Sequence, residues 1–250
     1  MNVLNDILNF LLPTFCVSCG KRLTSNEEGI CTNCLLHLPY TGFHLLEHSP
    51  LEKHFWGLFP VERATAMFHH DGKQTRHLIH SIKYYHHPEI ATMLATFYAN
   101  QLQGTGFLDG IDAIVPLPLH WRRQLKRHYN QSHYIARGIS QVTHIPIYKN
   151  VVRRVRNNPS QTHLTLRERI ENVEGIFQLT RPELIAGKHI LLVDDVTTTG
   201  STLSSCAREL AKATDVRISI LTLAVAGRTA LMSYDEETTD TSVFGIPILN

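Results

Sequence analysis

Short apolar runs alternate with amphipathic stretches along most of the chain. The most apolar of these runs, Ile190 to Val193, is rich in Leu and β-branched residues and is typical of an inner strand of a parallel sheet. Other strands are predicted near residues 61–71, 113–115, 151–154, 175–178 and 216–223. Helices are predicted near residues 73–83, 88–103, 131–143 and 201–213. This alternation predicts the α/β class, with a parallel sheet flanked by helices.

The two ends of the chain follow different patterns. Residues 2–12 place their Leu and Ile side chains on one helical face and stop at Pro13, which predicts a helix that packs on the larger domain. Residues 231–250 have little helical period, and we expect a tail or an edge segment there. The predicted organisation is a helix and small module over 1–41, a connector over 42–57, a larger domain over 58–230 and the C-terminal segment 231–250.

Length and charge narrow the class of protein. The 250 residues, 43% of them apolar, can bury a substantial core and suit one α/β domain with a small appendage. No apolar run approaches the roughly 18 residues of a membrane span, and no basic region precedes the apolar N-terminal stretch, so we expect a cytoplasmic protein. The net charge is only +2, yet residues 119–170 contain eleven Lys or Arg and a single acid, Glu168. The sequence therefore predicts one strongly basic face.

Four of the five cysteines form two CxxC pairs. Cys16 and Cys19 make one pair, Cys31 and Cys34 make the other, and eleven residues separate them. A CxxC turn presents both sulfurs to one tetrahedral ion, so the spacing predicts a structural zinc site in a knuckle or short ribbon. Disulfides, or a redox role that needs only one pair, are the alternatives. Cys206 falls on a predicted helix and is expected to be a small buried side chain.

The residues that follow the inner strand carry the most specific chemistry. Residues 189–202 read HILLVDDVTTTGST, so two acids and a hydroxyl-rich turn stand at a strand's carboxyl end, where ligands bind in open α/β sheets. Backbone N–H groups at the start of the next helix can hold a phosphate, and Asp194 and Asp195 can accept hydrogen bonds from vicinal hydroxyls. The stretch suits a ribose 5-phosphate, and Gly200 permits a close backbone approach. An ordinary capped helix with solvent-facing acids is the simpler alternative.

VDDVTTTGST resembles the loop with which type I phosphoribosyltransferases bind 5-phosphoribosyl 1-pyrophosphate (PRPP), and the whole chain is similar to the ComF family. The resemblance covers most of the chain and includes, in family order, CVSC and CTNC, IHSIKYYHHPEIA, IVPLPLHWRRQLKRHYNQSHYIA and SQTHLTLRERIENVEGIF. One difference is that the family usually has glycine in the position of His128. The resemblance implies a type I phosphoribosyltransferase-like sheet with an N-terminal zinc module.

The resemblance also implies roles for individual residues. Asp195 is the candidate catalytic residue, because its carboxylate favours positive charge on the ribose ring of PRPP. The turn after Val115 is the expected pyrophosphate loop, where Mg²⁺ accompanies the pyrophosphate; a solvated basic face is the alternative. The expected PRPP-binding residues are Asp194, Asp195, Val196, Thr197, Thr198, Thr199, Gly200, Ser201 and Thr202, and the expected pyrophosphate-binding residues are Leu117, Pro118, Arg122, Arg123 and Arg127.

Residues 153–173 are polar, basic and interrupted by Pro159, which is typical of a mobile arm. In type I phosphoribosyltransferases such an arm closes as a lid over PRPP and excludes water. The candidate lid residues are Gln161, His163, Arg167 and Arg169. Lys83, in IKYYHH, is a further cation that the family pattern places near the site.

The basic residues also suit a second kind of partner. They are interleaved with Trp121, Tyr129, Tyr134 and Tyr148. Single-stranded DNA combines phosphates with exposed bases, so it favours charge together with aromatic planes. Its candidate contacts are Arg153, Arg154 and Arg156. Two functions stay open: a PRPP-binding protein that serves DNA uptake in natural transformation, with DNA-uptake proteins as partners, or an active phosphoribosyltransferase with no nucleic-acid role.

Overall fold

The computed structural model describes residues 13–84, 87–156 and 175–227. The strands in these ranges are β1 (Ala64–His69), β2 (Ala113–Pro116), β3 (Val152–Arg154), β4 (Phe177–Leu179), β5 (His189–Thr197) and β6 (Arg217–Val225). Four of them form a parallel sheet in the order β1–β6–β5–β2, so β5 is an inner strand, and β3 and β4 pair antiparallel in a separate sheet. Because the four main strands are parallel, their carboxyl ends meet at one edge.

Helices cover both faces of the main sheet. They are α1 (Thr32–Leu36), α2 (Pro50–Phe55), α3 (Lys73–Tyr84), α4 (Pro88–Leu102), α5 (Trp121–Arg127), α6 (Gln131–Thr143) and α7 (Ser201–Leu210), with 3₁₀ turns at Phe43–Leu45 and Pro182–Leu184. The predicted parallel sheet flanked by helices is confirmed.

The side chains of β5 show why its apolar run is continuous. Leu191 and Val193 belong to the core that α3, α4 and α6 cover. Ile190 and Leu192 belong to the opposite core, which α2 and α7 cover. An inner strand that is buried on both faces needs apolar residues at every position, without alternation.

Helices α4 and α6 approach closely at Gly138. A Cβ atom at this position would lie 2.3 Å from the carbonyl oxygen of Thr92, so only glycine fits. The contact holds α6 against the sheet, and with it the residues at the α6 N-terminus that line the site described below.

The structure corrects the predicted end of the inner strand. The apolar run stops at Val193, but β5 continues to Thr197 and stays in parallel register with β6, where Thr197 pairs with Val225. The acids are therefore strand residues, and the turn begins only at Thr198. The ladder uses backbone groups, so a change to polar side chains does not end it.

Three helices were not predicted, and the first of them is α1, which lies within the cysteine module. Residues 42–57, described above as a connector, contain α2, whose Leu51 and Phe55 are fully buried. The stiff turn after β2 leads directly into α5. The predicted N-terminal helix over 2–12, the lid residues Gln161, His163, Arg167 and Arg169, and the segment 231–250 lie outside the described residues. Among the helices of the described ranges, none has both the length and the apolarity needed to cross a bilayer.

Candidate functional site

The two acids of β5 lie at the carboxyl edge of the sheet and have different partners. Asp194 accepts hydrogen bonds from the Ser132 hydroxyl at 2.9 Å and from the Asp195 amide at 2.8 Å. Asp195 is 6% exposed and forms an ion pair with Lys83, whose Nζ lies 3.1 Å from its Oδ1. The end of α3 and the start of α6 therefore position the two carboxylates before any ligand binds.

The surroundings of Asp194 change its ionisation. Burial and the neighbouring Asp195 charge raise the pKa of Asp194 to about 7, while Lys83 and the hydrogen bonds from Asp195 and Ser132 oppose the rise. A carboxylate with this pKa can exist with or without its proton near neutral pH. Such a group is suited either to accept hydrogen bonds from hydroxyls or to donate one.

The hydroxyl-rich turn forms a small concavity directly after β5. The concavity has a volume of about 80 Å³ and is lined by Asp194 and by residues 196–203. The Thr199 and Ser201 hydroxyls lie 2.8 Å apart, and the Oγ1 atom of Thr197 is buried with no hydrogen-bond partner among the described residues. Because α7 begins at Ser201, its unpaired N–H groups and the positive end of its dipole favour an anion here.

Helix α2 supports this turn from behind. Gly200 has φ +67°, and a Cβ atom there would lie 2.7 Å from Phe55 and 3.1 Å from His54. The sequence contains a signal for this helix, because Ser49 and Glu52 form a capping box. Residues 42–57 thus contribute to the shape of the turn, a role that the sequence reasoning did not assign to them.

The residues predicted to hold pyrophosphate do not all lie together in the structure. The amide of Leu117 bonds the Val193 carbonyl at 2.9 Å, which joins this turn to β5. Arg127 packs beside the end of α3, because it donates to the Tyr84 hydroxyl at 3.2 Å and its guanidinium lies 4.9 Å from the Tyr84 ring centre.

Arg122 faces elsewhere, since its guanidinium lies over the ring of Trp121 at 5.2 Å. For Arg123, burial and the charge of Arg127 lower the pKa of the guanidinium. The structure therefore brings Arg123 and Arg127 together and leaves Arg122 apart. Pro118 lines a separate cavity of about 540 Å³.

The three arginines proposed to contact nucleic acid also differ from one another. Arg153 is exposed and donates twice to the Gln178 side chain, at 3.0 and 2.6 Å. Arg154 lies over the Phe177 ring at 5.6 Å, and burial and Arg123 lower its pKa while the Asp194 charge opposes that shift. Arg156 is exposed beyond β3. Arg154 thus faces the acids, whereas Arg153 faces outward.

The four paired cysteines form a cluster that could hold a metal ion such as zinc. Their Sγ atoms all lie within 4.8 Å of one another, and those of Cys19 and Cys31 are 3.8 Å apart. Tetrahedral zinc with Zn–S bonds of about 2.3 Å places sulfurs about 3.8 Å apart, so the geometry fits. Burial opposes ionisation of Cys16, but N–H groups of Cys31, Cys19 and Ser18 lower its pKa to about 7. Cys206 is fully buried in α7, as predicted.

Several known proteins are similar to this chain in sequence. Residues 131–248 match the phosphoribosyl transferase domain model. The chain is 31% identical over 198 residues to DNA utilization protein YhgH of Escherichia coli (strain K12), covering 78% of this chain and 83% of that one. It is 28% identical over 207 residues to competence protein F of Haemophilus influenzae, covering 79% and 90%. The chain belongs to the ComF family. Among solved structures, adenine phosphoribosyltransferase of Saccharomyces cerevisiae is similar with a TM-score of 0.35 and 14% identity, covering 56% of this chain and 72% of that one.

The usual ComF glycine before Tyr129 has a structural explanation in this chain. His128 ends α5 with φ +65°, in the left-handed region that glycine adopts most easily. Histidine at this position accepts the backbone strain and adds a side chain to the surface beside the turn.

Proposed function

We propose that the carboxyl end of β5 binds PRPP. The observation that carries this proposal is the pair of positioned acids, Asp194 and Asp195, directly before a turn that presents hydroxyls and the N-terminus of α7. The 5-phosphate would occupy the turn at 198–202, and the two ribose hydroxyls would donate to the acids. The small volume of the turn, about 80 Å³, suits a single phosphate group.

Each neighbouring residue then has a role. Lys83 orients the Asp195 carboxylate through the 3.1 Å ion pair, and this carboxylate stabilises positive charge as it develops on the ribose ring. Arg123 and Arg127 face the departing pyrophosphate. Magnesium, when bound with PRPP, neutralises part of the pyrophosphate charge. Catalysis of this kind depends on position and electrostatics, and needs no covalent intermediate.

We further propose that the protein is cytoplasmic and that it serves DNA uptake. Its relatives are named DNA utilization protein and competence protein F, which supports this role. An active phosphoribosyltransferase with no nucleic-acid role is the alternative. Release of pyrophosphate from PRPP, measured with bases, ammonia and amines as acceptors, separates the two, because turnover with any acceptor favours the enzyme and tight binding without turnover favours the binding protein.

Substitution of the acids tests the PRPP site. Asp194→Asn with Asp195→Asn should weaken PRPP binding by about 3 kcal/mol, because each charge-assisted hydrogen bond contributes about 1.5–3 kcal/mol. Asp215→Asn, at an exposed acid before β6, is the matched control and should leave the affinity unchanged. Calorimetry that gives equal affinity for both variants would contradict the ribose assignment.

The DNA proposal has its own test. Arg153→Gln with Arg154→Gln should reduce the slope of log K against log salt for a single-stranded oligonucleotide by about 1.4, since each phosphate contact contributes about 0.7. Arg181→Gln with Arg217→Gln is the matched control, because it removes the same charge from exposed positions elsewhere, and it should leave the slope unchanged. Equal slopes in the two variants, or no binding at low salt, would exclude this surface.

We also propose that the cysteine cluster holds zinc. Cys16→Ser should release the metal and destabilise residues around the cluster, because metal binding free energy is also folding free energy at such sites. Cys206→Ala removes a thiol of α7 that lies outside the cluster and should retain the metal. Metal content by elemental mass spectrometry decides between these outcomes.

A further inference from the structure

A cavity of about 540 Å³ lies beside the acids and is separate from the phosphate turn. None of the residues that line it lines the turn concavity. Its lining includes the apolar and aromatic residues Pro116, Tyr129 and Val152. Its volume falls within the range of about 300–1,000 Å³ that is usual for small-molecule sites. We call it the basic cavity.

The charge around the basic cavity has one sign. Lys149, Arg153 and Arg154 line it, and no carboxylate occurs among its described lining residues. Within residues 13–84, 87–156 and 175–227, neither arginine forms an ion pair: Arg153 bonds the neutral Gln178 and Arg154 bonds the carbonyl of Arg156. The cavity is therefore suited to an anionic ligand that completes the charge balance.

Aromatic surface adjoins these cations. Trp121 lines the cavity and is 58% exposed, which is high for the largest apolar side chain. Tyr134 and His133, which belong to α6, also line the cavity. Exposed aromatic planes beside cations are the features with which proteins hold a nucleobase and its phosphate.

One polar atom of the lining lacks a partner. The Nδ1 atom of His133 is buried and has no hydrogen bond within the described part of the chain. Burial and the charges of Lys149 and Arg137 lower the pKa of this imidazole, so it is neutral at neutral pH and offers one donor and one acceptor. An unpaired buried polar atom is unusual in a folded protein, so the hydrogen bonding of this wall is incomplete within the described residues.

We propose that the basic cavity binds a nucleoside monophosphate unit, with its base against Trp121 and its phosphate at Lys149 and Arg153. The unit is either a free nucleotide or one nucleotide of a single strand, since the two share this chemistry. The site is independent of PRPP binding at β5. Arg154 lines the cavity and also interacts electrostatically with Asp194.

Intrinsic fluorescence locates the ligand. The chain has two tryptophans, Trp56 and Trp121, so Trp56→Phe leaves Trp121 as the reporter. Adenosine 5′-monophosphate or a ten-residue thymidine oligonucleotide should quench it, whereas ribose 5-phosphate should not. Quenching by the mononucleotide identifies a free nucleotide as the ligand, and quenching by the oligonucleotide alone identifies a nucleotide within a strand.

Equilibrium dialysis with the quenching ligand completes the test. Trp121→Leu and Arg153→Ala should each weaken binding at least tenfold, while the matched changes Trp56→Leu and Arg217→Ala should not. PRPP affinity, measured on the same variants, should stay within twofold of the unsubstituted protein. The proposal is overturned if neither ligand binds, if Trp121→Leu binds normally, or if Asp195→Asn abolishes nucleotide binding, since the last result would place the ligand at β5.

Discussion

The acidic end of β5 and the basic cavity adjoin each other, but they are built in opposite ways. Asp194 and Asp195 are held by Ser132 and Lys83 at hydrogen-bond distance. The cations of the basic cavity are bonded to neutral groups or reach into solvent. The two acids therefore have protein partners before a ligand binds, whereas the cations of the basic cavity have no carboxylate partner among the described residues.

The strongest test of this contrast is the addition of one methyl group at Gly200, in the phosphate turn. Gly200→Ala should destabilise the fold by about 3 kcal/mol, because the added Cβ meets Phe55 at 2.7 Å and the backbone is left-handed. Gly187→Ala is the matched control, since φ there is +68° and nothing lies within 4 Å of the added atom. It should cost only about 1 kcal/mol, the backbone strain alone.

Urea unfolding of both variants measures the difference. If Gly200→Ala and Gly187→Ala cost the same, α2 does not press on the turn, and the acidic end of β5 is less rigid than the packing indicates. PRPP affinity should fall in Gly200→Ala and remain in Gly187→Ala.

The second test uses pH. The pKa of Asp194 is raised from 3.8 to about 7, so between these values the native state keeps a proton that the unfolded chain has lost. The stability of the protein should therefore fall as pH rises from about 4 to about 7. Asp194→Asn removes this cost, so it should raise the free energy of unfolding clearly at pH 8 and by little at pH 4.

Asp195→Asn should have the opposite effect. It leaves Lys83 without its ion-pair partner and lowers stability at pH 8, although it also relieves Asp194 of a neighbouring charge. Thermal unfolding at pH 4, 6 and 8 distinguishes the variants. A pH-independent gain in Asp194→Asn would show that Asp194 does not titrate in this range.

The sequence predicted the sheet and the acids because strand patterns are local. The run from Ile190 to Val193 requires burial on both faces, and that requirement alone places β5 inside the sheet. What it could not show is that β5 continues through the acids, because the backbone ladder to Thr222 and Val225 depends on a strand from elsewhere in the chain.

The sequence indicated the aromatic and basic residues of the basic cavity, but it could not show that they line one cavity. Trp121 begins α5 and Arg153 lies in β3, with the whole of α6 between them in the chain, and only the fold brings both to one cavity. The helix α2 differs, since the capping box of Ser49 and Glu52 was present in the sequence. Its contact with Gly200, in contrast, is tertiary and has no local signal.

The smallest expected effect concerns two histidines with left-handed backbone. His128 ends α5 with φ +65° and lines the basic cavity, whereas His144 ends α6 with φ +59° at an exposed position. Glycine adopts this backbone without strain, so His144→Gly should stabilise the protein by about 1 kcal/mol, and His144→Ala should give no gain. Thermal unfolding of both variants checks this.

His128→Gly relieves the same backbone strain but also removes an imidazole from the cavity wall. Its gain should therefore be smaller than that of His144→Gly, and the difference between the two measures what the imidazole contributes at that wall. If the two gains are equal, the His128 side chain makes no net contribution to stability. A smaller gain for His128→Gly would show that this wall of the basic cavity contributes to folding as well, which limits the contrast with the acids of β5.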